Sequence, residues 1–425
     1  MTDMSSSPAP SPSAPVPGPS TASSPTSETK TVEALVSLGS RYLGQVPAFE
    51  ADRPWWSEVA ATTRHLDELL GVPTFVLRLV HADNAELGHG GRVVFHVQAA
   101  GEPRAGVLDP TPRPDWPGII APHPLRATWA EVDGPQRLVD WATGIVGALG
   151  KPVQYKTWNL SCLIQLPEAG AWAKATSRFC SVDADVINHV HQYDEALAPA
   201  VLGVDLSQRW SLLAHAPGTD CWEPDPATVQ DIVSRWVAVQ AAIAGDDLRV
   251  PQLLPSDLPA ELDRLLAGEV GDRLSSEELG QARTLRARLP AIISELDSAG
   301  LPNTLVHGDF HPGNWRSDGT NRVIVDWADS YVGHPATDLQ RLVNWLPREK
   351  RPLAIETWVA AWRTALPTSD PLRALKPMSV LIHLLGAATY QRFLDNIEPN
   401  ERIYHEDDPT NEIRAAIQTA RTAGY

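Results

Sequence analysis

Apolar residues in the second half of the chain recur at every third or fourth position. Val229, Ile232, Val233, Trp236, Val237 and Ile243 make one such stripe, which predicts a helix with a single core-facing side. The same spacing predicts helices near 256–267, 275–298, 335–346, 352–366, 376–396 and 409–423. The one β-rich interruption in this half lies at 304–327.

The first half alternates more. Val32 to Leu43 carries apolar residues at helical spacing, and Ser57 to Leu70 reads as a second helix. Thr74-Phe-Val-Leu-Arg-Leu-Val and Gly91-Arg-Val-Val-Phe-His-Val-Gln are strand-like runs, and Gly88-His-Gly-Gly91 between them reads as a hairpin loop. Asp109 to Pro124 is rich in proline and reads as an extended linker. Leu138 to Leu149 predicts a helix. Val153 to Leu166 and Ala171 to Thr176 read as strands around the turn Glu168-Ala-Gly170, followed by a helix at 183–197 and strands at 200–204 and 209–214. The expected division is a disordered Ser/Pro/Ala-rich tail (1–30), a small α+β domain of unknown role (31–130), a small β-rich lobe (131–218) and a mostly helical lobe (219–425).

Composition narrows the class. Hydrophobic residues form 43% of the 425 and charged residues 20%, as in a soluble globular protein. There is no apolar run long enough for a membrane span and no secretory pattern at the start. Cys162, Cys180 and Cys221 are odd in number and show no paired spacing, so a disulfide or zinc framework is not expected and a cytoplasmic location fits. The net charge of −17 speaks against a nucleic-acid partner. No G-x4-G-K-[ST] or G-x-S-x-G motif occurs.

The segment 304–327 carries the chemistry. Asp318-Gly319 is a hairpin signal, so Asn314-Trp-Arg and Arg322-Val-Ile-Val-Asp are expected to pair as antiparallel strands. That register sets Asn314 opposite a residue near 324–326 and brings its amide oxygen toward the Asp326 carboxylate. Two hard oxygen ligands completed by substrate phosphates are what magnesium favours. Asp309, on the loop containing Pro312 and Gly313, is placed to accept the proton of an attacking hydroxyl and align it with a γ-phosphate.

His307-Gly-Asp309-x4-Asn314, followed by Asp326-Trp, resembles the catalytic and metal loops of the aminoglycoside phosphotransferase family. Gly333-His-Pro-Ala-Thr-Asp338-Leu resembles a segment that follows the metal aspartate there, and the resemblance spans about 150–400. It implies a protein-kinase-like, two-lobed α+β fold behind the small α+β domain. It also implies transfer of the γ-phosphate of ATP, with Mg2+, to a hydroxyl of a small molecule. By the same resemblance Lys174 matches the phosphate-binding strand lysine and Asp183 stands where the family expects a longer helix glutamate. Thr157-Trp-Asn-Leu-Ser161 would be the phosphate-covering loop. It lacks glycine, so Ser161 and backbone groups would replace a glycine cradle. Leu213, Ala214 and His215, within 213–218, match the inter-lobe hinge that holds adenine.

Other readings stay open at this stage. The acceptor is an aminoglycoside-like compound or a housekeeping metabolite such as a sugar, a choline-like alcohol or an amino acid; a nucleotide-binding regulator without turnover is the remaining alternative. His307 is expected to support the catalytic loop, and His311 to be structural or to line the substrate site. His383, Tyr390 and Gln391 are expected near the acceptor. The run Glu398, Glu401, Glu406, Asp407, Asp408 is either a solvated loop or a cradle for an amino-bearing acceptor. Oligomeric state is not legible.

Overall fold

Two larger sheets and then a helical layer that holds two small sheets follow one another along the chain, described in a computed structural model over residues 29–83, 88–147 and 150–425. The tail expected over 1–30 lies outside the described residues as far as position 28. From Thr29 onward the chain is a strand.

The first sheet contains β1 (Thr29–Leu38), β2 (Arg41–Asp52), β3 (Thr74–Asp83) and β4 (Arg92–Ala99) in spatial order β2-β1-β4-β3. β1 runs parallel to β4, and the outer pairs are antiparallel. The helix expected over 32–43 is therefore a pair of strands. Its sequence misled because β1 is central: Val32, Ala34 and Val36 enter one apolar cluster, while Leu35 enters another on the opposite face. A strand covered on both faces loses its period of two. Helix Ala60–Leu70 covers the first face, as expected. The proline-rich stretch is not a free linker. It folds over the second face as the short helix Trp116–Ile120, with Trp116 edge-on to His96 at 5.0 Å.

The second sheet is fully antiparallel: β5 (Val153–Thr157), β6 (Ser161–Leu166), β7 (Ala171–Thr176), β8 (Val201–Asp205) and β9 (Trp210–Ala214), ordered β5-β6-β7-β9-β8. The single strand expected at 153–166 is two, folded at Trp158–Leu160, where Trp158 N–H donates to the Ser161 carbonyl at 3.0 Å. Helix Asp183–Val190 is shorter than the 183–197 expected and lies against β8 and β9.

The helices expected from the apolar stripes all form: Pro226–Ile243, Leu258–Leu266, Ser276–Asp297, Ala336–Trp345, Arg351–Ala365, Leu372–Leu394 and Asp408–Ala423. They bury one shared core in which Trp236, Leu289, Trp362 and Met378 are fully covered. Ser275 and Glu278 form a reciprocal capping box that fixes the start of the third of these helices. The hairpin predicted around Asp318-Gly319 is present, with Trp315 opposite Ile324.

The first sheet grips both later layers. Thr157 N–H donates to the Ser57 carbonyl at 2.9 Å and Val59 N–H to the Tyr155 carbonyl at 3.1 Å, which extends the outer edge of β5. On the helical side, Arg126 donates to both oxygens of Glu398 at 2.9 Å, and Trp56 meets Tyr404 edge-on at 5.5 Å. Among the described residues no helix is long and apolar enough to cross a membrane.

Glu401 is buried in this second contact, and burial beside Glu398 lifts its carboxyl to about 8. The native chain therefore keeps a proton that an unfolded chain releases near pH 4. The stability this provides is present below that pH and is lost as pH rises through about 8. Glu401→Gln mimics the protonated form. Its melting temperature is expected to match the wild type at pH 4–5 and to exceed it at pH 9, as read by thermal denaturation across that range.

Candidate active site

A buried carboxylate anchors the loop that carries Asp309. Strand Thr304–Val306 delivers His307 and Gly308 above the first turn of helix Ala336–Trp345, where Asp338 is buried. Asp338 Oδ2 accepts from the Trp236 indole N–H (2.8 Å), the Gln240 amide (3.2 Å) and the His307 backbone N–H (2.9 Å), and Oδ1 accepts from Gly308 N–H (3.1 Å). Burial still outweighs these donors and sets its carboxyl near 6. Gly308 has φ +83°, and a Cβ there would stand 2.1 Å from the Asp329 carbonyl oxygen, so no other residue fits. Burial lowers the His307 imidazole to about 4. Its Nδ1 accepts from Asp309 N–H at 3.3 Å and its Nε2 donates to the Val325 carbonyl at 3.1 Å. His307 thus supports the loop, as expected.

Asp309 projects from this platform. Asn314 Nδ2 donates to its carbonyl and to its Oδ2, each at 3.0 Å, and Arg341 Nε donates to Oδ1 at 3.0 Å. His311 Nε2 stands 3.3 Å from Oδ2, stacked on Trp222 with ring centres 5.1 Å apart. Burial alone would raise the Asp309 carboxyl; His311 and Arg341 outweigh it and hold the group well below the usual carboxylate range. The structure therefore places His311 both in the fold and against the site. Arg341 escaped the sequence reading. The available signal was its position three residues after Asp338, on the same helix face.

The second half of the site spans the two lobes. Lys174 Nζ, on β7, lies 2.9 Å from Asp183 Oδ1 and 2.5 Å from Asp326 Oδ1. Burial lowers the ammonium, but the two carboxylates outweigh it and its pKa stands above the ordinary value. Asp183 also accepts from Trp327 N–H at 2.9 Å, while burial raises its carboxyl. The shorter side chain at 183 therefore still meets Lys174. Asp326 has φ +65°, a conformation a non-glycine residue holds only when its surroundings impose it. Val325 N–H donates to the Asn314 carbonyl at 2.8 Å, so Asn314 stands across the hairpin from a residue within the expected 324–326.

Two clefts meet at this loop. The first, between the lobes, is lined by Lys156, Ser161, Lys174, Asp183, Asn314 and Asp326, and also by Leu213, Ala214 and His215. The expected hinge residues and the charged residues therefore face one space. His215 N–H donates to the Gly170 carbonyl at 2.7 Å and its ring accepts from the Trp172 indole at 3.0 Å. The second cleft is lined by Asp309, Asp329, Arg341, His383, Tyr390 and Glu412, among others. His383 and Tyr390 line this cleft, whereas Gln391 donates to Asp395 at 2.8 Å. The acidic run does not line it. Glu398 and Glu401 are buried against the first sheet, Glu406 and Asp407 pair with Arg273 at 2.6 and 2.7 Å, and Asp408 stands 3.2 Å from His405. The proposed cradle is thus corrected to a docking contact and surface ion pairs. Asp329, not singled out from sequence, lines the second cleft, and burial together with Asp309 and Asp326 lifts its carboxyl to about 7.

A β-rich lobe closing on a helical lobe, with these carboxylates at the joint, is the architecture of a kinase-like phosphotransferase. Residues 167–375 match the profile of the phosphotransferase enzyme family. The choline kinase LicA from Streptococcus pneumoniae has the same fold: TM-score 0.50 at 13% identity, covering 68% of this chain and 99% of that one. A choline/ethanolamine kinase family protein from Mesorhizobium loti gives 0.45 at 14% identity over 67% and 99%. Aminoglycoside 2'-phosphotransferase-IIIa in its GDP complex gives 0.46 at 13% over 68% and 99%. No curated protein matches the sequence.

Asp338→Asn retains size but exchanges an acceptor oxygen for an N–H, leaving buried donors unmet. Urea denaturation is expected to show a loss of about 1–3 kcal/mol in stability. Turnover is expected to fall further than Asp309-independent effects on folding explain, because the loop loses its anchor.

Proposed function

We propose that the protein transfers the γ-phosphate of ATP to a hydroxyl of a small molecule bound in the second cleft. The observation that carries this reading is that Asp309 faces the second cleft while Asn314, five residues on, faces the first. A phosphoryl group leaving a nucleotide in one space would meet an acceptor in the other across a single loop.

In this reading Asp309 orients the acceptor hydroxyl and takes its proton. It is ionised at neutral pH, and Arg341, His311 and Asn314 fix its direction. Lys174 binds the nucleotide phosphates, with Asp183 holding it in place. Leu213, Ala214 and His215 border the adenine, and Ser161 faces the phosphates. The Asn314 amide oxygen and the Asp326 carboxylate are the hard donors suited to magnesium. Among the described residues no group of three or more His, Cys, Asp or Glu could hold a metal alone, which agrees with a site completed by phosphate oxygens. Bound magnesium would neutralise charge on those phosphates.

The reading is tested by following ATP consumption over a panel of hydroxylated compounds, with and without magnesium. Asp309→Asn is expected to lower turnover by roughly 10²–10⁴-fold while nucleotide affinity holds. Near-normal turnover would remove Asp309 from the role of base. Asp326→Ala is expected to abolish the gain in nucleotide affinity that magnesium gives the wild type, measured by calorimetry.

A further inference from the structure

The phosphate-covering turn lacks glycine, and beside it stands a lysine that the reaction as described leaves unused. Lys156 lies on β5, is only 7% exposed, and lines the first cleft. The strand register puts it opposite Leu163, and Leu163 opposite Lys174. Residues directly opposite in antiparallel strands share a face, so the two lysines stand on one face of the sheet, two strands apart at about 10 Å. The Lys156 ammonium has no hydrogen-bond or ion-pair partner among the described residues; the Trp158 ring centre lies 6.0 Å from Nζ. Burial pulls its pKa down, against the fields of Asp326 and Glu58.

A buried cation without a partner is costly, and a structure that keeps one uses it. Here the backbone is shaped around it. β5 carries a register shift between Gln154 and Lys156, the kind of bulge that re-aims side chains. Ser57 and Val59, ahead of helix Ala60–Leu70, bond to Thr157 and Tyr155, the residues on either side of Lys156. Glu58, between them, supplies an opposite charge.

We infer that Lys156 is a second phosphate-binding cation, held on a bulge that the Ser57–Val59 segment pins, and that it replaces the missing glycine cradle by gripping the phosphates of a nucleoside di- or triphosphate. The inference rests on the first cleft being the nucleotide site. It gives the segment before position 131 a part in catalysis: buttressing the strand that contacts the phosphates.

The test is calorimetric titration of the full chain with adenosine, ADP and ATP, each with magnesium, for wild type, Lys156→Met and Lys156→Arg. Lys156→Met is expected to weaken ADP and ATP by roughly 10- to 100-fold and to leave adenosine unchanged. Lys156→Arg is expected to recover part of the loss. Unchanged ADP affinity in Lys156→Met overturns the inference, as does an equal loss for adenosine, which would mark Lys156 as structural. A wild type that binds adenosine and ADP equally would also overturn it, and a wild type that binds none of the three overturns the nucleotide reading itself.

Discussion

The Asp338 carboxylate is the point from which the geometry of the candidate site is set. It ties two successive N–H groups of the loop, His307 and Gly308, to Trp236 and Gln240 of the long helix Pro226–Ile243. A loop without regular structure would otherwise have to bury those donors unmet, at a cost comparable to a lost hydrogen bond each. Everything downstream inherits the fixed backbone: the direction of Asp309, the pressing of Gly308 onto the Asp329 carbonyl, and the helix face on which Arg341 reaches back to Asp309.

Among the contacts that join the lobes, two differ in kind. Lys174 bridges Asp183 of the small lobe and Asp326 of the large one, a contact made through charge and therefore exchangeable for phosphate. The first sheet bridges them through apolar packing and backbone pairing, from β5 on one side to Tyr404 and Glu398 on the other. The second link is not exchangeable for any ligand. It limits how far the lobes can part, so the cleft is expected to stay near its closed width through a cycle, and adaptation to ligands falls to side chains such as Lys174 and Lys156.

What could be read from sequence follows from where information is local. The hairpin at Asp318-Gly319 is short-range, so the pairing that sets Asn314 opposite 324–326 was legible. So were the helices, whose one-sided burial leaves a clean stripe. β1 was not, because covering both faces erases its alternation, and the helical reading of 32–43 followed. Arg341, Asp329 and Lys156 matter through contacts across long stretches of chain, to Asp309 and to a shared cleft, and no local pattern marks them. The acidic run misled for the same reason: its partners Arg126 and Arg273 lie 272 and 133 residues away from Glu398 and Glu406.

The ion pair between Arg341 and Asp309 bears on what kind of catalyst this is. In the proposed reaction Asp309 takes the proton, and a carboxylate held well below the usual range is a weak proton acceptor in the ground state. Phosphoryl transfer through a loose transition state asks little of a base until the hydroxyl oxygen has bonded to phosphorus, when that proton becomes strongly acidic. Up to that point what the reaction needs is a fixed direction for the hydroxyl, and a carboxylate locked by Arg341, His311 and Asn314 supplies it. The arrangement gives up basicity, which the chemistry uses late, for alignment, which it uses throughout.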